Sequence, residues 1–431
     1  MSIKYLYDRK KIAVTYGEQK YSYADVIKYV NYYSEFLDIS KGDRVALMME
    51  NRPESIFSFF SIWAKKGIAL SLDAGYTVEQ LAYVLSDSTP KYIFISNKVK
   101  EVVEKANKKI GNIVKILVVD EISLPDNYIP KQEEYHNDSD EDIAIIVYTS
   151  GTTGNPKGVM ITYENIRANM DGITAANLVN DTDSILAMLP YHHIMPLCFT
   201  LILPMYLGVP VILLTEISSA SLLKTLQENV VTVILGVPRV WEMLDKAIMT
   251  KINQSSIARF MFKMAGKINS MAIRKMLFSK VHKQFGGHIR LMVSGGAKID
   301  KNILEDFRTM GFRAIQGYGM TETSPIISYT PKNDIVPDSA GRVIKDVEVK
   351  IADDGEILVK GKNVMKGYYN NEQATKEAFD KDGWFHTGDL GRMEGKYLII
   401  IGRKKEMIVL PNGKNIDPND IEAEIVKNTD L

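Results

Sequence analysis

A glycine- and hydroxyl-rich stretch, YTSGTTGNPKG (148–158), has the composition of an anion-binding loop. It follows the strongly apolar run IAIIVY, so it leaves a predicted strand. Glycines let the backbone approach phosphate oxygens closely, and backbone N–H groups and hydroxyls can then donate to them. Lys157 adds a mobile positive charge. The stretch therefore predicts a polyphosphate cradle, and the apolar strand before it disfavours the alternative of a simple flexible connection.

This loop does not fit two better-known phosphate motifs. The Walker pattern needs Gly-Lys followed by Ser or Thr, whereas Lys157 follows Pro156 and precedes Gly158. The dinucleotide pattern also fails, because the Gly-Tyr-Gly of 317–319 is followed by Met-Thr-Glu and lacks the third glycine. The sequence thus predicts a polyphosphate site of another type.

The elements that position this loop are predicted to alternate between strands and helices. Helical patterns at 77–86 and 303–310 separate short β-rich apolar runs. The predicted strands are 44–49, 91–96, 115–120, 142–150, 210–214, 231–236, 289–296 and 312–319. This alternation predicts an α/β fold with two layered, mostly parallel sheets covered by helices. Ligands in such folds bind at the carboxyl ends of the strands.

The pattern changes to period-two alternation beyond residue 335. DVEVKIADDGEILVKG (346–361) and DLGRMEGKYLIIIGR (389–403) both read as antiparallel hairpins. They predict a smaller, barrel-like antiparallel β subdomain at 336–403, after α/β subdomains at 1–150 and 151–335. Asp417 and Pro418 then mark the start of a new helix. Residues 404–431 are expected to form a hinge and the first part of a C-terminal domain.

Composition excludes several classes of protein. The 53 Lys and Arg residues balance 53 Asp and Glu residues, so no nucleic-acid partner is expected. The single cysteine, Cys198, excludes an internal disulfide framework and fits a reducing compartment. No signal peptide is evident in MSIKYLYDRKK, and a cytoplasmic location is expected. The apolar stretch 197–214 contains two prolines and Gly208, which favours a buried helix, a turn and a core strand over a membrane span.

The segment 251–290 contains nine Lys and Arg residues and no Asp or Glu. Apolar residues are interspersed with these cations: Met261, Phe262, Met264, Ile268, Met271, Ile273, Met276 and Leu277. A basic amphipathic helix suits an anionic membrane surface, and it also suits coenzyme A phosphates. A surface helix pair that packs its apolar side on the core is an equally favoured interpretation.

Seven motifs in order resemble the adenylate-forming (AMP-binding) superfamily. They are YTSGTTGNPKG, LPYHHIMP (189–196), VSGGAKI (293–299), QGYGMTET (316–323), SAGR (339–342), GWFHTGDLG (383–391) and IGRKKEMIVLPNGKNIDPNDIE (401–422). The resemblance covers essentially the whole chain. GVPRVWEML and FGGHIRLMVSGGAKID, which flank the basic segment, look most like long-chain fatty acid–CoA ligases.

The resemblance implies a two-step reaction. A carboxylate attacks the α-phosphate of ATP, with Mg²⁺ as cofactor, to give acyl-AMP and pyrophosphate. Coenzyme A then accepts the acyl group. Catalysis of such a step depends on positioning and on cations near the phosphates. The substrates implied are ATP, coenzyme A and a fatty acid.

Roles for individual residues follow from the same resemblance. The predicted phosphate-binding residues are Thr149, Ser150, Gly151, Thr152, Thr153, Gly154 and Lys157. The predicted adenine and ribose site comprises Gly295, Gly296, Ala297, Gln316, Gly317, Tyr318, Asp389 and Arg403. Thr321, Glu322 and His193 are the predicted catalytic residues, with Glu322 as the Mg²⁺ ligand. Tyr191, His192, His193 and Gly317 are assigned to the acyl pocket, and Lys405 to the hinge.

Several of these residues could instead have ordinary structural or surface roles. Glu322 alone could be one of many surface acids, and Asp389 could bond its own backbone at a hairpin start. His192 and His193 could be a structural pair, and they lack further ligands at zinc-binding spacing. Lys405 could be one cation in a basic surface turn.

The chain departs from the family at its C-terminal end. The family's C-terminal domain extends further and supplies a lysine for the adenylation step, and no lysine here matches it. We therefore expect a shortened C-terminal domain and weak adenylation by this chain. A ligase for another acid, or for an acyl-carrier-protein thiol, remains an alternative. A non-catalytic nucleotide- or acyl-binding protein is a second alternative.

Overall fold

The computed structural model describes residues 10–131, 139–149, 155–331, 336 and 338–406. It also describes the backbone of two short strands at 408–409 and 415–416. The predicted C-terminal helix at Asp417 lies outside the described residues.

The strands of the described ranges are numbered in chain order. They are β1 Ile12–Tyr16, β2 Gln19–Ser22, β3 Arg44–Met48, β4 Ile68–Ser71, β5 Tyr92–Ile95, β6 Lys115–Val118, β7 Ile143–Thr149, β8 Lys157–Thr162, β9 Ile185–Ala187, β10 Val211–Leu213, β11 Val233–Gly236, β12 Leu291–Ser294, β13 Ala314–Tyr318, β14 Ser328–Tyr329, β15 Gly341–Val343, β16 Val347–Ile351, β17 Glu356–Gly361, β18 Gly367–Tyr368, β19 Phe385–Glu394, β20 Tyr397–Arg403, β21 Ile408–Val409 and β22 Asn415–Ile416.

The helices are numbered in the same way. They are α1 Tyr23–Ser34, α2 Pro53–Ala64, α3 Val78–Ser88, α4 Lys100–Lys109, α5 Tyr163–Ala175, α6 Ile194–Pro196, α7 Leu203–Leu207, α8 Ser219–Glu228, α9 Pro238–Asn253, α10 Ser256–Ala265, α11 Met271–Leu277, α12 Ser279–Gln284, α13 Lys301–Thr309 and α14 Glu372–Ala378. A π-helical segment, Leu197–Ile202, joins α6 to α7.

Helix starts follow local side-chain chemistry. Ser22, Thr77 and Thr162 each accept a hydrogen bond from the backbone three residues later, and the residue there bonds back. Such reciprocal caps satisfy backbone donors that would otherwise lack partners. The predicted helix at 77–86 therefore begins where Thr77 caps it.

Two large sheets form the frame. The seven-stranded sheet has the order β18-β8-β7-β4-β3-β5-β6, and its strands from β7 to β6 are parallel. The thirteen-stranded sheet has the order β16-β17-β19-β20-β15-β14-β13-β12-β11-β9-β10-β1-β2. It is parallel from β13 to β1 and antiparallel beyond each end. The predicted two-sheet α/β architecture is confirmed.

Alternate residues of the strands supply different cores. Val45 and Leu47 of β3 face the main core with Val14 and Val211 of the other sheet. The intervening residue Ala46 instead packs with the opposite face, beneath α3 and α4. Because successive side chains of a strand point to opposite faces, strands buried on both sides read as continuous apolar runs.

All eight predicted strands are present, each within two residues of its expected bounds. The two predicted hairpins are also present, as β16–β17 and β19–β20. Several other strands were not among the predictions: β1, β2, β4, β8, β9, β14, β15 and β18. They carry too few residues, or too mixed a pattern, to stand out by periodicity alone.

The predicted barrel-like subdomain requires a correction. The described strands of 336–403 form no closed barrel, since most of them extend the thirteen-stranded sheet through β14 and β13. Strand β18 pairs instead with β8 of the other sheet. Strands from both sides of residues 150 and 335 thus share sheets, and the proposed domain boundaries stay predictions.

The apolar stretch 197–214 is a helix, a turn and a strand, as predicted. The chain leaves α7 at Gly208, whose positive φ of 67° suits a glycine, and enters β10. Leu197, Leu201 and Ile202 are buried in the main core. Across the described ranges, no helix combines the length and apolar character that a bilayer span needs.

Candidate active site

A crevice of about 1460 Å³ opens where the carboxyl ends of parallel strands from both sheets meet. The turns that follow β7, β12 and β13 line it, together with the loop after β9. Thirteen of the predicted site residues line this crevice: Thr149, Lys157, His192, His193, Gly295, Gly296, Ala297, Gly317, Tyr318, Thr321, Glu322, Arg403 and Lys405. Residues far apart in the sequence are therefore brought to one cavity.

Several predicted residues lie elsewhere. Tyr191 is buried, and its hydroxyl donates to the Thr200 carbonyl at 3.3 Å. The Gln316 amide donates to the Ser339 carbonyl at 2.7 Å and faces a separate, smaller cavity. Asp389 is buried and does not itself line the crevice, although its partners Tyr318 and Arg403 do. Ser150, Gly151, Thr152, Thr153 and Gly154 lie outside the described residues, so their phosphate-binding role stays a prediction.

Strands β7 and β8 hold the two ends of the glycine-rich stretch side by side. Thr149 pairs with Lys157, and Tyr148 pairs with Gly158, in an antiparallel register. A Cβ atom on Gly158 would lie 3.0 Å from Ile146 and 3.1 Å from the Tyr148 ring, so a small residue suits this crossing. The hairpin thereby fixes Lys157 at the crevice wall.

Tyr368 connects Lys157 to Glu322, and sequence reasoning missed it. Its hydroxyl donates to Glu322 Oε1 at 2.9 Å, and Lys157 Nζ lies 5.0 Å from its ring centre. Burial, and then the Glu322 charge, raise the pKa of Tyr368, so the hydroxyl stays a donor. The available signal was the tyrosine pair in GYYNN, which is typical of a turn rather than of a site.

The loop that carries Glu322 is held by close backbone contacts. The Glu322 carbonyl accepts from the Met365 N–H at 2.8 Å. A Cβ atom on Gly319 would lie 1.8 Å from the Pro325 carbonyl oxygen. Buried Asn169 donates to the Thr323 carbonyl and accepts from the Ile326 N–H, so the loop is fixed on both sides.

Tyr318, Asp389 and Arg403 form a polar chain at the edge of the crevice. Tyr318 Oη donates to Asp389 Oδ2 at 2.8 Å, and Arg403 Nε lies 3.0 Å from Oδ1. Burial raises the pKa of Asp389, although Arg403 and Tyr318 act in the opposite direction. Burial, reinforced by Asp389, raises the pKa of Tyr318. The Asp389 carboxylate thus orients one aromatic ring and one guanidinium.

The histidine pair sits on a loop held by the seven-stranded sheet. Asn51 donates to the Leu189 carbonyl at 2.8 Å and accepts from the Tyr191 N–H at 3.2 Å. Ser71 donates to the Tyr191 carbonyl at 3.0 Å. These bonds fix the backbone on the N-terminal side of His192 and His193.

The two imidazoles lie 4.1 Å apart, centre to centre. Desolvation, with His193 beside it, lowers the pKa of His192 to about 4, while Asp73 acts weakly in the opposite direction. Desolvation also lowers the pKa of His193, whose ring faces the open crevice. Both rings are therefore neutral near pH 7 and can accept or donate a hydrogen bond.

Glycines at the end of β12 leave room for a neighbouring side chain. A Cβ atom on Gly295 would lie 2.6 Å from Met195 Sδ, so the thioether packs on the bare backbone. Leu235, Val237 and Phe199 line the adjoining part of the crevice. This part is apolar, in contrast to the polar end near Lys157 and Glu322.

A buried carboxylate lies beside the predicted hinge. Glu356 accepts from the Gly388 N–H at 2.9 Å and from Lys404 Nζ at 3.0 Å, and His386 Nδ1 lies 3.1 Å away. Burial alone would raise the pKa of Glu356, but His386, Lys404 and Gly388 lower it overall. The residue before Lys405 is therefore anchored, while Lys405 itself is exposed.

This combination defines the class of protein: a two-sheet α/β protein whose architecture matches adenylate-forming enzymes, with one polar and one apolar end to its crevice. The chain belongs to the AMP-binding enzyme family, whose model matches residues 7–369.

Individual relatives act on different acids. A long-chain-fatty-acid–CoA ligase, FadD15 of Mycobacterium bovis, is 29% identical over 90% of this chain and 70% of its own. A 2-succinylbenzoate–CoA ligase of a Geobacillus species is 30% identical over 97% of this chain and 79% of its own. The structure of O-succinylbenzoate coenzyme A synthetase from Bacillus subtilis with ATP and magnesium ion has a TM-score of 0.76 at 25% identity, and covers 97% of this chain and 82% of that one.

Proposed function

We propose that the protein activates a carboxylic acid with ATP to an acyl-AMP and then transfers the acyl group to the thiol of coenzyme A. One observation carries this proposal. Lys157, Glu322, Tyr318 and His193, which are widely separated in the sequence, line one crevice at the carboxyl ends of the strands. Family membership and the acid–CoA ligases among the relatives support the same chemistry.

The described residues fit the groups that this reaction needs. Tyr368 engages Oε1 of Glu322 and leaves its carboxylate able to accept a hard cation such as Mg²⁺. When bound, the metal would offset negative charge on the phosphates. Lys157 is a mobile ammonium on the same wall, suited to the departing pyrophosphate. Thr321 would donate to the α-phosphate.

Other residues would position the organic parts of the substrates. Tyr318 offers a ring face to adenine beside the glycines at 295 and 296. Asp389 and Arg403 would bind ribose hydroxyls once their mutual contact relaxes. Neutral His193 lines the same crevice and would donate a hydrogen bond to the acid carboxylate.

We propose a long-chain fatty acid as the substrate. The apolar lining of Leu235, Val237, Phe199 and Met195 supports an aliphatic acid, as does the similarity to FadD15. An aryl acid, as in the succinylbenzoate relative, is the alternative, and so is an acyl-carrier-protein thiol in place of coenzyme A. A fatty acid partitions into membranes, so this hypothesis includes a cytoplasmic enzyme with peripheral membrane contact through residues 251–290.

Nucleotide binding and acid activation test the proposal separately. Calorimetry with Mg-ATP should detect binding to the wild-type chain and a loss of about tenfold in affinity for Lys157→Ala, from the removed charge–phosphate contact. Lys98→Ala, an exposed lysine remote from the crevice, is the matched control. Absence of binding by the wild type would exclude the ligase and leave a non-nucleotide function.

Acid-dependent exchange of pyrophosphate into ATP then identifies the substrate. It is measured on the chain joined to the C-terminal domain of a family member, because the chain alone is expected to adenylate weakly. A panel of saturated acids of increasing length, with benzoate and succinylbenzoate, should give exchange that rises with chain length. A preference for the aryl acids would replace the fatty-acid assignment while keeping the class of enzyme. Nucleotide binding without exchange by any acid would favour the non-catalytic alternative.

A further inference from the structure

Helices α10 and α11, with the turn between them, form an exposed surface that we call the helical platform (256–277). The side chains of α10 fall into three groups: one packs toward the core, one is apolar and exposed, and one is basic. Ala258, Phe262 and Ala265 pack toward the core, where Phe262 meets Phe278 edge-on at 6.0 Å. This core-facing group accounts for the ordinary role of an amphipathic surface helix.

A second apolar stripe on α10 faces away from the core. Ile257, Phe260 and Met264 follow at spacings of three and four residues and are 75%, 65% and 43% exposed. Residues at this spacing lie on one side of a helix. Exposed apolar side chains are common singly, but a contiguous stripe marks an interaction site.

Helix α11, which follows α10 in the chain, also carries exposed apolar side chains. Met271, Ile273 and Met276 are 40%, 45% and 67% exposed. None of the residues of α11 is buried. The exposed apolar side chains of the platform therefore extend over two helices rather than one.

Cations border the apolar stripe. Arg259 and Lys263 lie on the third side of α10, and Lys267 occupies the turn. In the described residues, no acidic side chain pairs with Lys263 or Lys267, and residues 251–290 contain no Asp or Glu. The surface thus combines unneutralised positive charge with protruding apolar side chains.

One expected cation of this segment serves the fold instead. Arg274 Nε donates to the Ile268 carbonyl at 2.7 Å, and its Nη1 donates to the Arg308 carbonyl at 3.1 Å. It holds the turn between α10 and α11 against α13. Replacing it would disturb the platform itself, so it is unsuitable as a test of surface charge.

We propose that the helical platform docks the protein on the surface of an anionic lipid bilayer. Anionic headgroups complement the unpaired lysines, and the acyl region just below them accepts Phe260, Ile257 and Met276. Exposed apolar side chains on two successive helices suit an extended surface better than a single anion. The docking builds on the membrane contact included in the proposed function, but the experiment below measures it without the ligase chemistry.

Sedimentation with sucrose-loaded vesicles tests this docking without ATP or acid. The wild-type chain should bind vesicles with about a third phosphatidylglycerol, more weakly at high salt, and bind pure phosphatidylcholine poorly. Lys263→Gln with Lys267→Gln should weaken binding about 30-fold, from the loss of two cations near the surface. Phe260→Ser with Met264→Ser should weaken it at least tenfold, because apolar insertion is lost.

Matched controls change the same chemistry elsewhere on the surface. Lys98→Gln with Lys108→Gln removes two exposed lysines, and Ile113→Ser with Ile217→Ser removes two exposed apolar side chains. These variants should bind like the wild type, and thermal unfolding should confirm that all the variants are folded.

Three results would overturn the proposal. The first is an absence of vesicle binding by the wild type at low salt. The second is equal loss in the control variants, which would indicate non-specific adsorption. The third is a wild-type dimer in analytical ultracentrifugation that the Phe260 and Met264 changes dissociate, which would make the platform an interface between copies. None of these measurements requires ligase activity.

Discussion

Tyr368→Phe is expected to weaken Mg²⁺-dependent ATP binding while keeping the contact between the ring of residue 368 and Lys157. The change removes one hydroxyl that donates to Glu322 Oε1 at 2.9 Å. Hydrogen bonds to charged groups contribute about 1.5–3 kcal/mol, and partial access to water reduces this to about 1–2 kcal/mol here. The carboxylate then becomes free to rotate away from the crevice.

This free energy corresponds to a rise of about 5- to 30-fold in the Mg²⁺ concentration needed for half-maximal ATP binding. Tyr368→Leu also removes the ring that lies 5.0 Å from Lys157 Nζ, which is expected to cost about a further 0.5–1 kcal/mol in ATP affinity. Calorimetry with ATP at a series of Mg²⁺ concentrations separates the two effects.

Tyr128→Phe provides a matched control. It removes a tyrosine hydroxyl that donates to Glu35 Oε1 at 3.0 Å, well away from the crevice. If Tyr368→Phe titrated with Mg²⁺ like the wild type and the control, Tyr368 would not orient Glu322 for the metal, and the reasoning from this hydrogen bond would be refuted.

Three further predictions concern one histidine and two glycines. Gly295→Ala should displace the Met195 thioether, since the new Cβ would lie 2.6 Å from Sδ. This should change which acids support pyrophosphate exchange, and an unchanged preference would mean that Met195 does not line the acyl pocket. Gly319→Ala should lower the free energy of unfolding by at least about 3 kcal/mol, because its Cβ would clash with the Pro325 carbonyl at 1.8 Å, and a urea denaturation near the wild-type midpoint would contradict this. The pKa of His192 is lowered from 6.5 to about 4, so on acidification the unfolded chain binds this proton before the folded chain does. Up to about 3 kcal/mol of the free energy of unfolding should therefore be lost as the pH falls from about 6.5 to about 4. His192→Asn should flatten this part of the plot of stability against pH, and an equally steep plot would place the proton uptake elsewhere.

Lys404, which precedes the predicted hinge residue Lys405, is held by several hydrogen bonds. Lys404 Nζ bonds both Asp354 and Glu356, at 2.5 and 3.0 Å, and its backbone N–H donates to the Gly388 carbonyl. A change of backbone direction after Lys404 would leave these bonds intact. This fits Lys405 as the point of rotation, which stays a prediction.

Sequence patterns were sufficient for the longer apolar strands and for the family. Apolar runs such as 142–150 are long enough, and bounded sharply enough, to mark buried strands without knowledge of their neighbours. Glycine–threonine and glycine–tyrosine turns after such runs also pointed to residues that line one crevice, such as Thr149 and Tyr318. Periodicity could not indicate that the β hairpins of 336–403 would join the parallel strands in one sheet, because strand order depends on long-range pairing.

What the sequence alone determined is therefore the type of the longer apolar elements and the family, since both depend on neighbouring residues and fixed motif spacings. The tertiary structure decided which residues meet. It placed Tyr368 between Lys157 and Glu322, turned Gln316 and Tyr191 away from the crevice, and assigned Arg274 to the fold. These contacts join residues that are distant in the chain, and their geometry follows from the packing of two sheets rather than from any local pattern.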